Sequence, residues 1–179
     1  MGTEKKKAEL SQLPVFTVGI DPGVTGAISL LQGLDLINVW DIPNKAAESG
    51  TGKAIDQEEL FNILFHKVLI KGSSTDDYQI AVERVWSRPN QSCVATFSLG
   101  RSYGAILGCL TAFAFSRVAT VLPQSWQAAA GLIGKDKNAA RKTAIGLYPD
   151  HADLFRRVKD HDRADAALIA RYLAGEPLE

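Results

Sequence analysis

Residues 15–31 read VFTVGIDPGVTGAISLL, an apolar stretch in which Asp21 is the one charged residue. The run VFTVGI has the length and the β-branched and aromatic content that are typical of a buried strand. Pro22, Gly23 and Gly26 then predict a turn, and AISLL predicts the antiparallel return strand of a hairpin. Because a buried carboxylate needs a cation or hydrogen-bond donors, Asp21 either caps this turn or belongs to a functional site.

The composition around this hairpin is that of an ordinary globular protein. Of the 179 residues, 46% are hydrophobic and 22% are charged, which argues against disorder of the whole chain. The 20 basic and 20 acidic side chains cancel, so any surface that binds nucleic acid must be local. Cys93 and Cys109 are too few for a disulfide framework or a zinc quartet, which predicts a reduced, intracellular protein of the cytoplasm.

The length predicts a single domain over residues 13–175, with a flexible polar leader at 1–12 and a tail at 176–179. The leader carries three consecutive lysines, at positions 5–7, and lacks the hydrophobic core of a signal peptide. No apolar run is expected to reach the roughly 20 residues that span a bilayer. We therefore expect no membrane partner.

Five strands and several helices follow from the pattern of the remaining chain. The segment 43–53 is predicted to be a loop, and Asp56 is predicted to cap a helix that extends to about residue 70. Residues 90–115 predict a largely buried helix, and its glycines recur every four residues on one face. Strands are predicted at residues 15–20, 27–31, 34–42, 78–85 and 118–122. Consecutive strands followed by alternating helices predict a mixed sheet flanked by helices.

Three further carboxylates complement Asp21. Glu83 ends a predicted strand, and Asp162 and Asp165 lie three residues apart on one face of the last predicted helix. A converging set of carboxylate oxygens is what Mg²⁺ or Mn²⁺ prefers. Two such ions about 4 Å apart can activate water and stabilise the leaving oxygen in phosphodiester hydrolysis. The alternative for the helical pair is that Asp160 or Asp162 simply caps the helix.

These residues lie in segments that resemble the RuvC-type Holliday-junction resolvases of the RNase H-like superfamily, in particular the phage-type members. The matching segments are GIDPGVTGAIS at 19–29, AVERVWSRPNQS at 81–92 and DHDRADAALIARY at 160–172. Between them, FSLGRSYGAILG and LPQSWQAAAGLIGKDKNAAR look like the connecting helix and the basic segment of that family. The resemblance covers residues 15–173 and fits a phage-encoded protein acting at DNA in a bacterial host.

The resemblance implies an α/β protein with the RNase H-like fold, a five-stranded mixed sheet with helices on both faces. It also implies a homodimeric, Mg²⁺-dependent endodeoxyribonuclease, with Mn²⁺ able to substitute, that nicks a four-way DNA junction symmetrically by two-metal-ion hydrolysis. Asp21, Glu83, Asp162 and Asp165 match the four metal-binding catalytic positions of the family. Asp160 and His161 remain alternatives for the third of these positions.

The resemblance also assigns side chains to the substrate. Lys137 matches a catalytic basic residue near the scissile phosphate, and a solvated helix face is its alternative. Trp86 matches an aromatic residue that stacks on an unpaired base, and a place in the core is its alternative. Cations along phosphate tracks are needed for DNA binding, and the candidates are Arg84, Arg88, Arg101, Lys135, Arg141 and Lys142.

Two other functions remain open from the sequence. The same metal site could serve an RNase H-like nuclease that cleaves RNA–DNA hybrids or other branched DNA. A non-catalytic module that binds junctions is the alternative from another class. An RNase H-like nuclease would differ from a resolvase in the substrate that it cuts. A junction-binding module would differ because it cuts no substrate.

Overall fold

A computed structural model of the chain describes residues 15–47, 52–136 and 138–175. The predicted leader at 1–12, the predicted tail at 176–179 and Lys137 lie outside the described residues. The single domain predicted for residues 13–175 stays a prediction.

The five predicted strands form one mixed sheet, as expected. The described residues form seven strands in all, and two of them, β4 and β5, are not part of this sheet. The seven are β1 (Phe16–Asp21), β2 (Ala27–Gln32), β3 (Asp35–Asp41), β4 (Asn44–Ala46), β5 (Lys53–Ile55), β6 (Tyr78–Glu83) and β7 (Val118–Val121). The order in the large sheet is β3-β2-β1-β6-β7, so β1 is the central strand. β2 is antiparallel to β1 and β3, whereas β6 is parallel to β1 and β7 is parallel to β6. Because β1 and β6 run in the same direction, their carboxyl ends lie at the same edge of the sheet.

Helices cover both faces of this sheet. They are α1 (Gln57–Ile63), α2 (Cys93–Ala112), α3 (Pro123–Ala129), α4 (Ala139–Leu147) and α5 (His161–Gly175). The predicted cap of α1 is present, since the Asp56 side chain accepts from the Glu59 amide at 3.4 Å. A π-helical turn (Leu64–Val68) and a 3-10 turn (Leu69–Lys71) carry this helical segment one residue past its predicted end.

Two hydrophobic clusters pack on opposite faces of the sheet. Val18 and Ile20 of β1 face the cluster that includes Ile106 and Leu110 of α2. Ala81 of β6 belongs to the other cluster, together with α5. Side chains alternate between the faces of a strand, so the odd-numbered residues of β1 and β6 face α5. The predicted five-stranded mixed sheet with helices on both faces is thus confirmed.

Gly19 allows α5 to lie directly on β1. A Cβ atom at this position would sit 2.2 Å from the Ala166 carbonyl oxygen and 2.4 Å from the Ala170 amide nitrogen. The same Ala166 oxygen accepts a hydrogen bond from the Ser29 hydroxyl at 2.7 Å. The close approach of backbone to backbone, which only glycine permits, fixes the position of α5 against the two central strands.

Two expectations about secondary structure are corrected. The predicted loop at 43–53 contains the strand β4 and the first residue of β5, and these two strands pair as a small antiparallel hairpin. The helix predicted to be largely buried, α2, is mostly exposed: its buried residues are Ser102, Ile106 and Leu110, and a Cβ at Gly100, Gly104 or Gly108 would meet nothing within 4 Å. Only one face of α2 packs on the sheet, and apolar side chains on its other faces, such as Val94 and Phe97, are exposed.

The length and composition of α2 also correct the expectation about apolar runs. This helix has 20 residues with a mean hydropathy of 1.2, enough by these two criteria to cross a membrane. A single helix of this kind is weak support for a membrane span, because the core helix of a soluble domain passes the same test. The expected absence of a membrane partner stays a prediction.

Candidate active site

The four predicted carboxylates lie together at the carboxyl edge of β1 and β6. Asp21 is the last residue of β1, and Glu83 is the last residue of β6. Both have odd numbers and therefore point to the face that α5 covers. Asp162 and Asp165 lie in the first turns of α5, whose amino end reaches the same edge. The strand alternation and the packing of α5 over Gly19 thus bring four acidic side chains into one cluster.

Three of these side chains are spaced as metal ligands. One carboxylate oxygen each from Asp21, Asp162 and Asp165 lies within 4.8 Å of the other two. All three residues are partly buried, so water does not fully screen their charges. Glu83 is outside this set of three, although its charge raises the pKa values of Asp21 and Asp165. An oxygen-only group with a neighbouring fourth carboxylate fits a hard divalent cation.

The pKa values of this cluster show how poorly its charges are balanced by the protein. Burial, together with the charges of Asp162, Glu83 and Asp165, raises the pKa of Asp21 well above its usual range. Burial and the same repulsion raise the pKa of Asp165 to about 7. Burial also raises the pKa of Glu83. A bound divalent cation would supply the positive charge that these carboxylates lack.

The structure separates the three alternatives for the helical metal position. Asp160 is buried in a salt bridge with Arg157, at 2.8 Å between Oδ1 and Nη2. Burial opposes the charge of Asp160, but the hydrogen bonds and charge of Arg157 outweigh it and lower the pKa of Asp160. The His161 Nε2 atom lies 3.0 Å from Asp162 Oδ1, and its Nδ1 lies 3.2 Å from the Val158 carbonyl oxygen. Geometry therefore favours Asp162, while its role as a ligand stays a prediction.

Trp126 is a contact of this site that the sequence did not reveal. Its indole Nε1 donates a hydrogen bond to Glu83 Oε2 at 2.8 Å, and the residue is 1% exposed. The helix α3 carries Trp126 and starts just after β7, the strand that pairs with β6. The hydrogen bond joins residues that are 43 positions apart, so no local sequence pattern predicts it. Only the order of the strands and helices indicated that α3 begins near Glu83.

Arg163 is a second contact that the sequence did not reveal. Its guanidinium binds the Asp41 carboxylate with two hydrogen bonds, one of them 2.7 Å from Nη2 to Oδ2. The hydrogen bond from Arg163, which outweighs burial, lowers the pKa of Asp41. Such paired hydrogen bonds fix both partners in one geometry. They tie the first turn of α5, which carries Asp162, to the end of β3.

Two clefts beside the carboxylates collect several of the predicted DNA contacts. One cleft contains Asp21 and Glu83 with Trp86, Arg84 and Arg88, and the Trp86 side chain is 45% exposed rather than in the core. A second cleft contains Glu83 and Asp165 with Arg88 and Lys135. The aromatic and basic side chains thus border the acidic cluster, although their contacts with DNA stay predictions.

The other predicted DNA contacts are spread more widely. Arg101 lies in a separate cleft next to Lys45 of the β4–β5 hairpin. The Arg141 guanidinium donates to the carbonyl oxygens of Phe155 and Arg156, so it fastens α4 to the following segment. Lys142 is exposed on α4. Their contacts with DNA, and the role of Lys137, stay predictions.

Comparison with curated proteins found sequence similarity to a named enzyme. The chain is 35% identical over 88 residues to the chloroplastic Holliday junction resolvase MOC1 of Chlamydomonas reinhardtii. The match covers 49% of this chain and 10% of the relative, so the chain spans a small part of that protein's length. No protein-family profile matches the chain.

Comparison with solved structures gives the fold. Thermus thermophilus RuvC in complex with a Holliday junction substrate superposes with a TM-score of 0.57 at 17% identity, over 89% of this chain and 92% of RuvC. A second structure of Thermus thermophilus RuvC gives a TM-score of 0.50 at 17% identity, over 89% and 93% of the two chains. The predicted resemblance is confirmed, and the chain has the same RNase H-like fold as RuvC.

Proposed function

We propose that this chain is a divalent-metal-dependent endonuclease that resolves four-way DNA junctions. The observation that carries this proposal is the convergence of Asp21, Glu83, Asp162 and Asp165 at one edge of the sheet. The RuvC fold and the sequence similarity to a Holliday junction resolvase support it. Fold alone would not, because one fold serves many functions.

Mg²⁺ is the proposed cofactor, with Mn²⁺ as a substitute. Asp21, Asp162 and Asp165 would hold it directly, and Glu83 borders the same space. Bound divalent ions supply a water of lowered pKa and neutralise charge on the leaving oxygen. The raised pKa values of Asp21 and Asp165 support this assignment, because the site has excess negative charge that a cation would relieve.

The protein's own side chains would position the substrate at these carboxylates. Trp126 holds Glu83 by its indole N–H, and Arg88 lies close enough to act on the charge of Glu83. Arg84 and Lys135 border the same clefts and would bind phosphates. Trp86 would stack on an unpaired base at the crossover, since its ring is exposed beside the site.

A homodimer would let two such sites cut symmetrically related strands. The exposed face of α2 is the proposed dimer surface, because Val94 is 80% and Phe97 is 71% exposed. Gly100, Gly104 and Gly108 leave open space along the same helix, which would let a partner helix approach closely. We expect the dimer to act at DNA inside the cell.

Cleavage of defined substrates tests the proposal. The chain would be incubated with Mg²⁺ and labelled four-way junction, linear duplex or RNA–DNA hybrid, and products would be resolved on denaturing gels. We expect paired nicks at symmetric positions of the junction and little cutting of the other two. Preferential cleavage of the hybrid would instead identify an RNase H-like nuclease, and binding without cleavage would identify a junction-binding module.

The Asp21→Asn variant tests the site assignment in the same assay. Removing one ligand charge should lower the cleavage rate by at least about a hundredfold, the scale of losing one group that stabilises the transition state. Junction binding should persist, because the cations in the clefts are unchanged. A variant that cuts at the wild-type rate would show that the carboxylate cluster is not the active site.

A further inference from the structure

A third cleft opens from the acidic cluster on the side away from Trp86. Its walls include Thr25 of the β1–β2 turn, Asn44, Lys53, Arg157 and residues 159–162. The sheet order places β2 and β3 on one side of β1 and β6 and β7 on the other. The clefts with Trp86 and Lys135 lie on the β6 and β7 side, so this third cleft leaves the cluster in another direction.

Two of the three acidic side chains that line this cleft already pair with arginines, and the third is Asp162 of the acidic cluster. Asp41 accepts two hydrogen bonds from the guanidinium of Arg163, and Asp160 forms a salt bridge with Arg157. Two lysines remain. Among the described residues, no carboxylate oxygen lies within 4.0 Å of the Lys53 or Lys159 ammonium group, and both side chains are exposed. The cleft therefore has two positively charged side chains that form no salt bridge with a carboxylate of the described residues.

The remaining lining suits a sugar-phosphate backbone better than a base. Thr25 and Asn44 are exposed and carry neutral hydrogen-bonding groups, and no aromatic side chain lines the part of the cleft that the structure describes apart from the His161 ring. Lysines, hydroxyls and amides are the groups that contact phosphates and sugars. The cleft volume of about 330 Å³ is that of a ligand-sized site.

Asp162 joins this cleft to the acidic cluster, since it lines the one and contributes an oxygen to the other. A polymer that is cut at the cluster must leave it on both sides of the scissile bond. Under the proposed function, the clefts with Arg88 and Lys135 would bind the strand on one side. Resting on the proposed function, we propose that the cleft between Lys53 and Lys159 binds the phosphodiester backbone of the cleaved strand on the other side.

The salt dependence of binding tests this proposal. Each phosphate that a cation neutralises contributes about 0.9 to the slope of log affinity against log salt concentration. The Lys53→Ala, Lys159→Ala double variant should therefore show a slope that is shallower by about 1.8. Between 50 and 200 mM KCl, its affinity would fall about twelvefold less than that of the wild type. Binding would be measured by fluorescence anisotropy in EDTA, with a labelled four-way junction and a linear duplex.

Two further variants separate charge from structure. Lys53→Arg with Lys159→Arg keeps both charges and should keep the wild-type slope. Lys67→Ala with Lys71→Ala removes two exposed lysines from the helical segment that precedes β6, at the opposite end of that strand from Glu83. This control loses the same charge outside the clefts and should also keep the slope.

The outcomes distinguish the two proposals. Suppose that the wild type binds junctions and that the Lys53→Ala, Lys159→Ala variant shows the same salt-dependence slope as the wild type. The cleft assignment is then overturned, and the resolvase proposal stands. If the wild type binds duplex as well as junction and cuts neither, the resolvase proposal falls, and the slope on duplex still decides the cleft. If the wild type binds no DNA in any form, both are overturned.

Discussion

The carboxylates of the acidic cluster are partly buried and lie close to one another, and few protein groups offset their negative charge. The Gly23 amide lies 3.4 Å from Asp21 Oδ1, and the Trp126 indole donates to Glu83 at 2.8 Å. Both contacts favour the charged carboxylate, yet the pKa values of Asp21 and Glu83 remain raised because burial and repulsion exceed them. At the scale of single residues, the site is built to receive positive charge.

Trp126 is expected to control catalysis through Glu83. The Trp126→Phe variant keeps an aromatic ring in the core but removes the indole N–H. A hydrogen bond to a charged group is worth about 1.5–3 kcal/mol, so we expect the single-turnover cleavage rate to fall by about tenfold or more. The Mg²⁺ concentration that gives half-maximal rate should also rise, because Glu83 loses its fixed position. Quenched-flow cleavage over a Mg²⁺ titration measures both quantities.

Trp40 provides the matched control for this substitution. It is a partly buried tryptophan in β3 that packs against the α1 and α2 side of the sheet, whereas Glu83 points to the α5 side. Trp40→Phe should change the melting temperature without moving the Mg²⁺ midpoint. A Trp126→Phe variant that loses only thermal stability, with rate and Mg²⁺ midpoint unchanged, would show that Trp126 is a packing residue.

The sequence revealed the acidic residues of the site but not the side chains that hold them in place. Asp21 and Glu83 were visible because a charge at the end of an apolar strand is unusual, and Asp162 and Asp165 because their spacing puts them on one helical face. Trp126 and Arg163 were not visible. Their partners, Glu83 and Asp41, are 43 and 122 positions away in the chain, and no local pattern encodes such contacts.

At the scale of elements, the strands followed from sequence and the packing of the helices did not. Apolar runs bounded by turn residues located the five strands of the large sheet. The same apolar character misled for α2, where it predicted burial within one subunit. The importance of Gly19 also needed the structure, because a glycine inside a strand does not say which backbone approaches it.

The exposed face of α2 is expected to hold two copies of the chain together. Phe97, Gly100 and Gly104 are spaced by three and four residues and so share one face of α2. Phe97→Asp would place a charge in that interface. Burying a phenylalanine contributes about 1.5–3 kcal/mol, so the dissociation constant of the dimer should rise at least about tenfold. Sedimentation equilibrium would measure it.

Ile70→Asp controls for the general effect of a new surface charge. Ile70 is 69% exposed and lies in the 3-10 turn before β6, outside α2. This variant should sediment like the wild type. If Phe97→Asp leaves the mass unchanged, or if the wild type is monomeric at micromolar concentration, α2 is not a dimer surface.

The whole molecule carries no net charge, yet its charges are unevenly distributed. Four carboxylates converge at one edge of the sheet, and cations border the clefts that open from it. The acidic cluster opposes folding when no cation is bound, while the neighbouring pairs Asp41–Arg163 and Asp160–Arg157 hold the same edge together. The stability of the entire fold should therefore report on the state of this edge.

Stability in the absence of metal is expected to fall as the pH rises from 5 to about 7.5. Burial, followed by the charges of Glu83 and Asp162, raises the pKa of Asp165 from 3.8 to about 7 in the folded protein. A carboxyl whose folded pKa is raised favours folding while it is protonated and loses that contribution as pH rises through the folded value. Asp41 and Asp160 have lowered pKa values and contribute fully above about pH 4, so they do not mask the effect.

Calorimetric melting at pH 5, 6, 7 and 7.5 in EDTA, and again with Mg²⁺, would test this expectation. Each kcal/mol shifts the melting temperature of a chain of this size by about 2–4 °C, so we expect a decline of several degrees in EDTA. Mg²⁺ should raise the melting temperature most at pH 7.5, where the carboxylates are ionised and bind it. Asp165→Asn removes one of the carboxyls with a raised pKa and should make both the decline and the response to Mg²⁺ smaller. A wild-type melting temperature that rises through this pH range in EDTA would mean that repulsion within the acidic cluster does not destabilise the fold. The electrostatic argument for the proposed metal site would then be wrong.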